Sequence, residues 1–291
     1  MKTLKSFLLL CITITIFSCG HSENYIKKMY LELDREIATD YKKYAEFSFE
    51  QEEKIDIIAQ DMLLWHRKEK LPEIRQLFTA IREELSSTGS LNTSLLNESI
   101  NTLNNPFTFT ASDDISMAFA QFAFTVSDAQ IIQIIEAVKY EEKEATTLLE
   151  NSSIAQQTTQ IKKRIRSIFK SLGVRLSKEI LNDIDATLSQ RVDITPQQII
   201  ANTDWNNHFV EILEQRDNVT QKQFTERFVK HWEKSDKIYK NADLATWLTN
   251  QQIVVQSLEK IIETLDSDEK ATLHKRLGNY INVIDELMIQ P

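Results

Sequence analysis

The sequence predicts an all-α fold, a multi-helix globular bundle of antiparallel helices joined by short connections. Three observations predict it. Only four of the 291 residues are glycine, whereas tight β-hairpins depend on residues that adopt positive φ. A pattern that starts helices, an apolar residue followed by Ser, Thr or Asp and then by Gln or Glu three places later, recurs along the chain. The apolar residues also recur every three or four positions, which is the spacing of a buried helix face.

The composition fits a folded chain and restricts its partners. Hydrophobic residues make up 42% of the sequence, and the formal net charge is −9. The hydrophobic fraction is typical of globular proteins. The negative net charge argues against a nucleic-acid partner, because binding nucleic acid needs a basic surface. No Pro/Gly-rich linker divides the chain. We therefore predict that residues 23–291 form a single all-helical domain.

The first 18 residues are predicted to be a signal peptide that is removed. Lys2 and Lys5 precede the mostly apolar segment 7–17, and the small residue Ser18 follows it, which is the order of a secretory signal peptide. As a helix, the apolar segment would rise about 17 Å, too little for a hydrocarbon core of about 30 Å. A retained transmembrane anchor is therefore the less favoured interpretation.

The end of this segment predicts a lipid anchor. Residues 16–19, Ile-Phe-Ser-Cys, resemble the lipobox of bacterial lipoproteins. The resemblance implies cleavage between Ser18 and Cys19 and acylation of Cys19, with residues 19–22 as a short tether. Several acyl chains anchor a protein stably. Gly20 stands where an aspartate retains some lipoproteins in the inner membrane, so we expect an outer-membrane protein that faces the periplasm of a Gram-negative bacterium. An ordinary secretory cleavage site beside a chance cysteine is the alternative.

Five helix starts are predicted from capping boxes, in which two side chains three positions apart bond each other's backbone amides. They are Ser48 with Gln51, Ser127 with Gln130, Thr195 with Gln198, Thr220 with Gln223, and Asp266 with Glu269. Ser177 predicts a further start without the box. Thr249 also matches the pattern, but the apolar spacing continues through it, so we predict one continuous helix there.

Residues 86–112 contain few charges and predict a loose connection that carries one weak helix, 91–103. The segment 115–126 that follows is apolar on all sides and too short to span a bilayer. We predict that this segment is a central buried helix. The alternative is that it lines a site for an apolar ligand.

Residues 151–178 contain seven basic residues and no acidic one. Several of the basic residues line one face of a predicted helix, opposite the apolar ones. We predict an antiparallel hairpin with the preceding helix, in which acidic residues pair with the basic ones. The predicted partners are Lys162 and Lys163 on one side and Glu141, Glu142 and Glu144 on the other. A patch for anionic lipid headgroups or for an acidic partner is the alternative.

The densest motif is Trp-His-Arg at 65–67, followed by Leu-Pro at 71–72. Its tryptophan lies on the same helix face as the apolar residues before it and is predicted to be part of the core. His66 is three residues from Glu69, which places the two within pairing distance on a helix. Pro72 is predicted to kink the helix, or to end it and open another immediately after. A catalytic role for His66 would require a nucleophile or a metal beside it, and the neighbouring sequence offers neither.

The segment 40–72 resembles the lipoproteins of domain of unknown function 6279, a Gram-negative family of proteins of about this size. The chain departs from the family at Lys70, where glutamate is usual, and lacks the aromatic-rich stretch expected after the lipidated cysteine. The family has no established activity, so the resemblance implies a location and a fold but no chemistry. The residues that match its motif are Trp65, His66, Arg67, Leu71 and Pro72.

The sequence carries no catalytic or metal-binding signature. None of the five histidines belongs to a His-Glu-x-x-His pattern, and neither a nucleophile elbow nor a Walker loop occurs. Cys11 lies in the leader and Cys19 is the predicted acylation site, so cysteine catalysis is not expected. We therefore predict no catalytic residue, no metal and no cofactor.

These observations together predict a non-enzymatic envelope lipoprotein that serves as a periplasm-facing interaction or scaffold protein. Its expected contacts are the membrane, through the lipid anchor, and an envelope protein, but not nucleic acid. Two alternatives stay open. One is a hydrolase of envelope polymers that uses buried carboxylates with His66. The other is an apolar-ligand or lipid binder, which predicts a cavity of several hundred Å³.

Overall fold

The computed structural model describes residues 23–104, 114–233 and 243–290. The predicted signal peptide and tether, including Ser18 and Cys19, lie outside the described residues. Within the described ranges the secondary structure is helical and contains no β-strand. The all-α prediction is therefore confirmed.

The amino-terminal part of the chain forms the helices α1 to α7. They are α1 (Glu23–Leu31), α2 (Leu33–Lys42), α3 (Phe49–Trp65), α4 (Leu71–Thr88), α5 (Thr93–Asn104), α6 (Asp114–Thr125) and α7 (Asp128–Glu150). Between α3 and α4, the residues His66–Lys70 form a single π-helical turn. α5 is the weak helix that was expected within the poorly charged connection.

The carboxyl-terminal part forms the helices α8 to α13. They are α8 (Ile154–Ser171), α9 (Lys178–Leu188), α10 (Thr195–Glu214), α11 (Gln221–Glu233), α12 (Leu244–Thr264) and α13 (Ser267–Met288). A short 3₁₀ turn, Arg216–Asn218, lies between α10 and α11. α12 runs through Thr249 without interruption, as predicted.

Most predicted helix starts are confirmed by their hydrogen bonds. The reciprocal bonds of the capping box form at Ser48, Ser127 and Asp266, and the same two bonds join Thr220 and Gln223. The hydroxyl of Ser177 accepts from the amide of Ile180 without a box, also as predicted. A further box, not among the predicted ones, forms at the start of α8 between Ser153 and Gln156.

The capping box predicted at Thr195 is wrong. The amide of Thr195 donates to Oδ1 of Asp193 at 2.9 Å, so the aspartate two residues earlier takes the capping role and Thr195 becomes the first residue of α10. The hydroxyl of Thr195 instead accepts from the side chain of Gln157 on α8. The hydroxyl of Thr195 therefore takes part in a tertiary contact instead of capping the helix as the local sequence pattern predicted.

Two groups of buried apolar residues form the core. The larger core draws on α1 to α5 together with α8, α9, α12 and α13. The smaller core draws on α6, α7, α10 and α11. α6 contacts both groups: its Ile115 belongs to the larger core, its Ala120 belongs to the smaller core, and Phe119 and Phe122 pack against both. Three residues of α6, Ile115, Ser116 and Ala120, are buried.

The predicted ion pairing between α7 and α8 is wrong. Glu141 on α7 accepts a hydrogen bond from the hydroxyl of Tyr44 at 2.7 Å, and Glu142 accepts one from the hydroxyl of Thr203 on α10 at 2.6 Å. Lys162 on α8 pairs with Asp185 on α9 at 2.6 Å. α7 therefore packs against α10, and α8 packs against α9. The short loop between α7 and α8 is typical of a hairpin. The apolar faces of the two helices nevertheless pack against other helices.

Taken singly, the described helices do not have the length and hydropathy of a membrane span. No single described helix combines the length and the apolar character needed to cross a membrane. α6 and α7 have that length and apolar character only when the two helices are taken together. Their axes are bent by 120° at the break between them.

Candidate functional site

The motif at 65–72 forms a break between α3 and α4, and its proline is the physical cause. Pro72 has no backbone N–H, and its ring clashes with the carbonyl four residues back, so an α-helix cannot continue through it unchanged. The chain widens into the π-helical turn, in which the amide of Leu71 bonds to the carbonyl of His66, five residues back. α4 then starts at Leu71 with the proline in its first turn, a position where proline is favoured. The interruption predicted at Pro72 is confirmed.

The side chains of this break connect it to α1. The hydroxyl of Tyr30 and Nδ1 of His66 share a hydrogen bond of 2.7 Å, and both side chains are buried. The guanidinium of Arg67 lies 5.8 Å from the centre of the Tyr30 ring, in the range of a cation–π contact. Trp65 packs against the larger core, as predicted, and the ammonium of Lys70 lies 5.6 Å from its ring centre. The motif therefore joins the first helix of the domain to α3 and α4.

The environment of His66 does not suit an acid or a base in catalysis. Its side chain is 4% exposed. Burial, with the positive charges of Lys70 and Arg67, lowers the pKa of His66 from 6.5 to about 3. The imidazole is therefore neutral at physiological pH, far from the pKa that general acid–base catalysis requires. His66 therefore lacks the properties that the hydrolase hypothesis requires of its catalytic histidine.

We expect His66→Gln to remove part of the acid sensitivity of folding. Because the pKa of His66 is lower in the folded chain than its ordinary 6.5, the unfolded chain binds one more proton between these two values, and stability falls as the pH falls. Each pH unit in this window corresponds to about 1.4 kcal/mol. From about pH 6.5 to about pH 4.5, the wild type should lose roughly 2–3 kcal/mol more of its unfolding free energy than the variant loses. Urea unfolding at a series of pH values measures this difference.

His274→Gln is the matched control for this measurement. His274 is a half-buried histidine on α13, away from the motif in sequence. The control should keep the wild-type pH dependence. If His66→Gln kept it as well, His66 would not be a neutral histidine held in the folded core.

A pair of histidines lies in the smaller core, at a sequence separation that no local spacing rule detects. Nδ1 of His208 on α10 lies 2.9 Å from Nδ1 of His231 on α11. Trp205 is buried, and the centre of its ring lies 4.1 Å from that of the His231 ring. Two imidazoles do not complete a zinc site. Within the described part of the chain, no group of three or more His, Cys, Asp or Glu is placed to hold a metal ion.

The larger core contains a cavity of about 440 Å³. Protein interiors seldom leave voids larger than a water molecule, whereas pockets for small ligands measure about 300 to 1,000 Å³. The walls come from α4, α5, α8, α12 and α13, and from the connection between α9 and α10. Ile168, one of the lining residues, is 36% exposed, so the cavity reaches the surface. Its size and access suit a small ligand.

The cavity is elongated along α12. The lining residues of this helix recur every three or four positions and so occupy one helix face. They are Trp247, Asn250, Gln251, Val254, Leu258 and Ile262. Because an α-helix rises 1.5 Å per residue, this face extends for about 22 Å. An elongated cavity of this length fits a chain-like ligand better than a compact one.

Hydrogen bonds fix the direction of α5 along the cavity. The hydroxyl of Thr93, the first residue of α5, bonds to the carboxylate of Glu259, towards the end of α12. Further along α5, the side chain of Asn97 accepts from Gln251, near the start of α12, at 3.0 Å. The two helices are therefore antiparallel walls of the same cavity, as the bundle prediction requires.

The two ends of the cavity differ in chemistry. The end at the start of α12 includes the polar side chains of Asn250 and Gln251, and also Arg191 from the connection before α10. The opposite end, near Ile262, is lined by apolar residues of α4 and α13. They are Phe78, Leu273 and Leu277. The cavity thus has a polar end and an apolar end.

The alternative prediction, that residues 115–126 line a site for an apolar ligand, does not hold for this cavity. No residue of 115–126 lines this cavity. These residues form α6, whose aromatic side chains pack into the two cores instead. The cavity walls come from helices that individually look like ordinary amphipathic core helices, so no single segment marks them in the sequence.

The chain was matched to a protein family by its sequence. A family model described as a family of unknown function (DUF6279) matches residues 43–239. The matched range includes the motif at 65–72 and the cavity walls formed by α4, α5 and α8, but it ends before α12. No curated protein and no solved structure matches the chain.

Proposed function

The chain belongs to the DUF6279 family of unknown function, and from this premise we propose that it is a lipid-anchored envelope protein that binds an apolar ligand in the cavity along α12. The single observation that carries the proposal is the cavity itself. It combines a volume of about 440 Å³ with mostly apolar walls and access to the surface. A void of this size in a core lowers stability unless something fills it, and an apolar ligand would supply the missing contacts.

The position of α1 supports a role close to the membrane. If Cys19 is acylated, only residues 20–22 separate it from the first residue of α1. α1 is held to the end of the domain by an ion pair between Lys27 and Glu286 at 2.8 Å. It is also held to the motif break by the bond between Tyr30 and His66. The domain, with its cavity, would therefore stay near the outer membrane and face the periplasm, without a flexible spacer.

A second candidate function is a scaffold that binds another envelope protein. It is favoured by an apolar stripe on α3, where Phe49, Ile57 and Leu64 are 75%, 56% and 49% exposed. These residues fall within one side of the helix. Such a partner would use the surface of the domain and would leave the cavity unexplained, so we prefer the ligand-binding proposal.

A bulky residue inside the cavity tests the ligand-binding proposal. Leu258 lies on the cavity face of α12, between Val254 and Ile262. In Leu258→Trp, the indole would occupy the volume that a ligand needs. We expect a long-chain alkyl alcohol with a photoreactive diazirine to label cavity peptides of the wild-type chain in lipid nanodiscs, and the variant to reduce that labelling to background. Peptide mass spectrometry measures the labelling.

Gln256→Trp is the matched control, because Gln256 is an exposed residue of the same helix and does not line the cavity. It should be labelled like the wild type. Circular dichroism of both variants verifies that the helices remain. Undiminished labelling of Leu258→Trp at the same peptides would show that the probe binds outside the cavity, and the proposal would fail.

A further inference from the structure

We propose that the cavity binds a single-chain amphiphile whose anionic head group, a carboxylate or a phosphate, lies against Arg191 and Arg164 while its hydrocarbon chain lies along α12. The inference rests on the proposed function and narrows it to one chemical class of ligand. The shared chemistry is an oxyanion on a long alkyl chain, which a free fatty acid or a phosphate-bearing single-chain lipid would supply.

The backbone around Arg191 is held firmly at the polar end of the cavity. The amide of Val192 donates to Oδ1 of Asn250 at 2.9 Å, and Nδ2 of Asn250 donates to the carbonyl of Val192 at 2.8 Å. Asn250 is 6% exposed and itself lines the cavity. This pair of bonds docks the connection before α10 onto α12. Arg191, the preceding residue, is therefore positioned rather than free to move along the surface.

The guanidinium of Arg191 retains an unused donor. Its Nη1 atom is buried and has no hydrogen-bond partner within the described ranges. Burial lowers the pKa of Arg191, and the nearby carboxylate of Asp193 opposes this effect to a smaller extent. Asp193 is exposed, and its Oδ1 already accepts from the amide of Thr195. A buried donor without a partner is unfavourable, and an oxyanion in the cavity would satisfy it.

Arg164 brings a second positive charge to the same half of the cavity. It lines the cavity from α8, and burial lowers its pKa as well. The side chain of Gln157 donates to the hydroxyl of Thr195 at 2.9 Å, which places the start of α8 beside the connection that carries Arg191. Arg164 lies about 10 Å further along α8 than Gln157. Guanidinium groups bind carboxylate and phosphate oxygens through paired hydrogen bonds, so two of them favour an anionic head group.

The remaining length of the cavity suits a hydrocarbon chain. Beyond Gln251, the cavity face of α12 presents only apolar side chains as far as Ile262, about 16 Å further along the helix. Among the described residues, those that line the far end are apolar. A ligand with polar groups along its length would leave them without partners there. The distribution of polar and apolar lining therefore matches an amphiphile with one charged end.

Photo-crosslinking of the full-length chain in lipid nanodiscs tests the inference. Three alkyl probes of equal length carry a diazirine in the chain and differ only in the head group, which is a carboxylate, a phosphate monoester or a hydroxyl. We expect at least one anionic probe to label the cavity peptides at a lower concentration than the hydroxyl probe. Arg191→Met should raise the half-saturating concentration of that anionic probe at least about tenfold and leave that of the hydroxyl probe unchanged. The anionic probe that binds more tightly identifies a fatty acid or a phosphate lipid as the source.

Two further variants make the test decisive. Arg166→Met is the control, because Arg166 is an exposed arginine of α8, and it should leave labelling by every probe unchanged. Arg191→Lys keeps the positive charge and should recover part of the affinity for the anionic probe. Equal labelling by all three probes, with no effect of Arg191→Met, would overturn the inference and leave the cavity as a site for neutral apolar ligands. If no probe labelled the cavity peptides, the proposed function itself would fail.

Discussion

Replacing Cys19 by alanine is expected to abolish acylation of the protein and to release it from the membrane. The chain has two cysteines, and Cys11 lies within the predicted signal peptide. The mature chain would therefore contain no other thiol that could accept the lipid. Because a single covalent step carries the proposed anchor, the loss should be complete rather than partial. Metabolic labelling with an alkyne-tagged fatty acid, followed by separation of membranes from soluble protein, measures both effects.

Cys11→Ala is the matched control for the lipid anchor. Cys11 would be discarded with the signal peptide, so this variant should be acylated and membrane-bound like the wild type. Acyl labelling that persisted in Cys19→Ala would refute the anchor. It would leave the ordinary secretory signal as the better interpretation of residues 1–18.

Phe224→Ala should lower the unfolding free energy by about 3–5 kcal/mol, the usual result of removing a buried phenyl ring. Phe224 on α11 is fully buried. Its ring centre lies 5.4 Å from that of Phe124 on α6 and 5.7 Å from that of Phe228. The truncation removes the contact of the Phe224 ring with Phe124 on α6 and leaves a void that the surrounding helices close only in part. Urea unfolding followed by circular dichroism measures the loss.

Phe49→Ala provides the comparison for the same chemical change at the surface. Phe49 is 75% exposed at the start of α3, so its removal should change the unfolding free energy by no more than about 0.5 kcal/mol. Similar effects of the two substitutions would contradict the assignment of Phe224 to the smaller core. A loss in Phe224→Ala of less than about 1 kcal/mol would contradict it as well.

The helix starts were predictable because their chemistry is local. A capping box joins two residues three positions apart, and no distant part of the chain has to be known. The boxes at Ser48, Ser127 and Asp266 form for this reason. The break at Pro72 was predictable for the same reason, since the missing N–H belongs to the residue itself. Thr195 is the exception to these local rules. Its hydroxyl accepts a hydrogen bond from Gln157 on another helix and does not cap α10.

The side-chain partners were much less predictable. His66 bonds to Tyr30, which lies 36 positions away in the sequence, and His208 meets His231 from a different helix. Lys162 pairs with Asp185 rather than with the acidic residues of the preceding helix. In each case the apolar periodicity identifies which face of a helix is buried but does not identify the helix that covers it.

The candidate site also depends on tertiary packing that the local sequence does not reveal. From the sequence, a ligand cavity was only an alternative, predicted at residues 115–126 because that segment is apolar on all sides. The cavity is instead bounded by α4, α5, α8, α12 and α13. Arg191 gave no signal in the sequence, because it stands alone in a short connection. Its place at the cavity depends on the two bonds between Asn250 and Val192.

The sequence by itself determined the all-α class and most of the helix boundaries, since glycine scarcity, capping residues and apolar spacing act within one or two helical turns. It also carries the motif that places the chain in its family. Only the tertiary structure decided which helices meet, that His66 is a buried structural residue, and where the cavity with its arginine-bearing end lies. The physical reason is that a cavity exists where the side chains of several helices fail to fill the space between them. That property belongs to the packing of distant segments and to none of the segments alone.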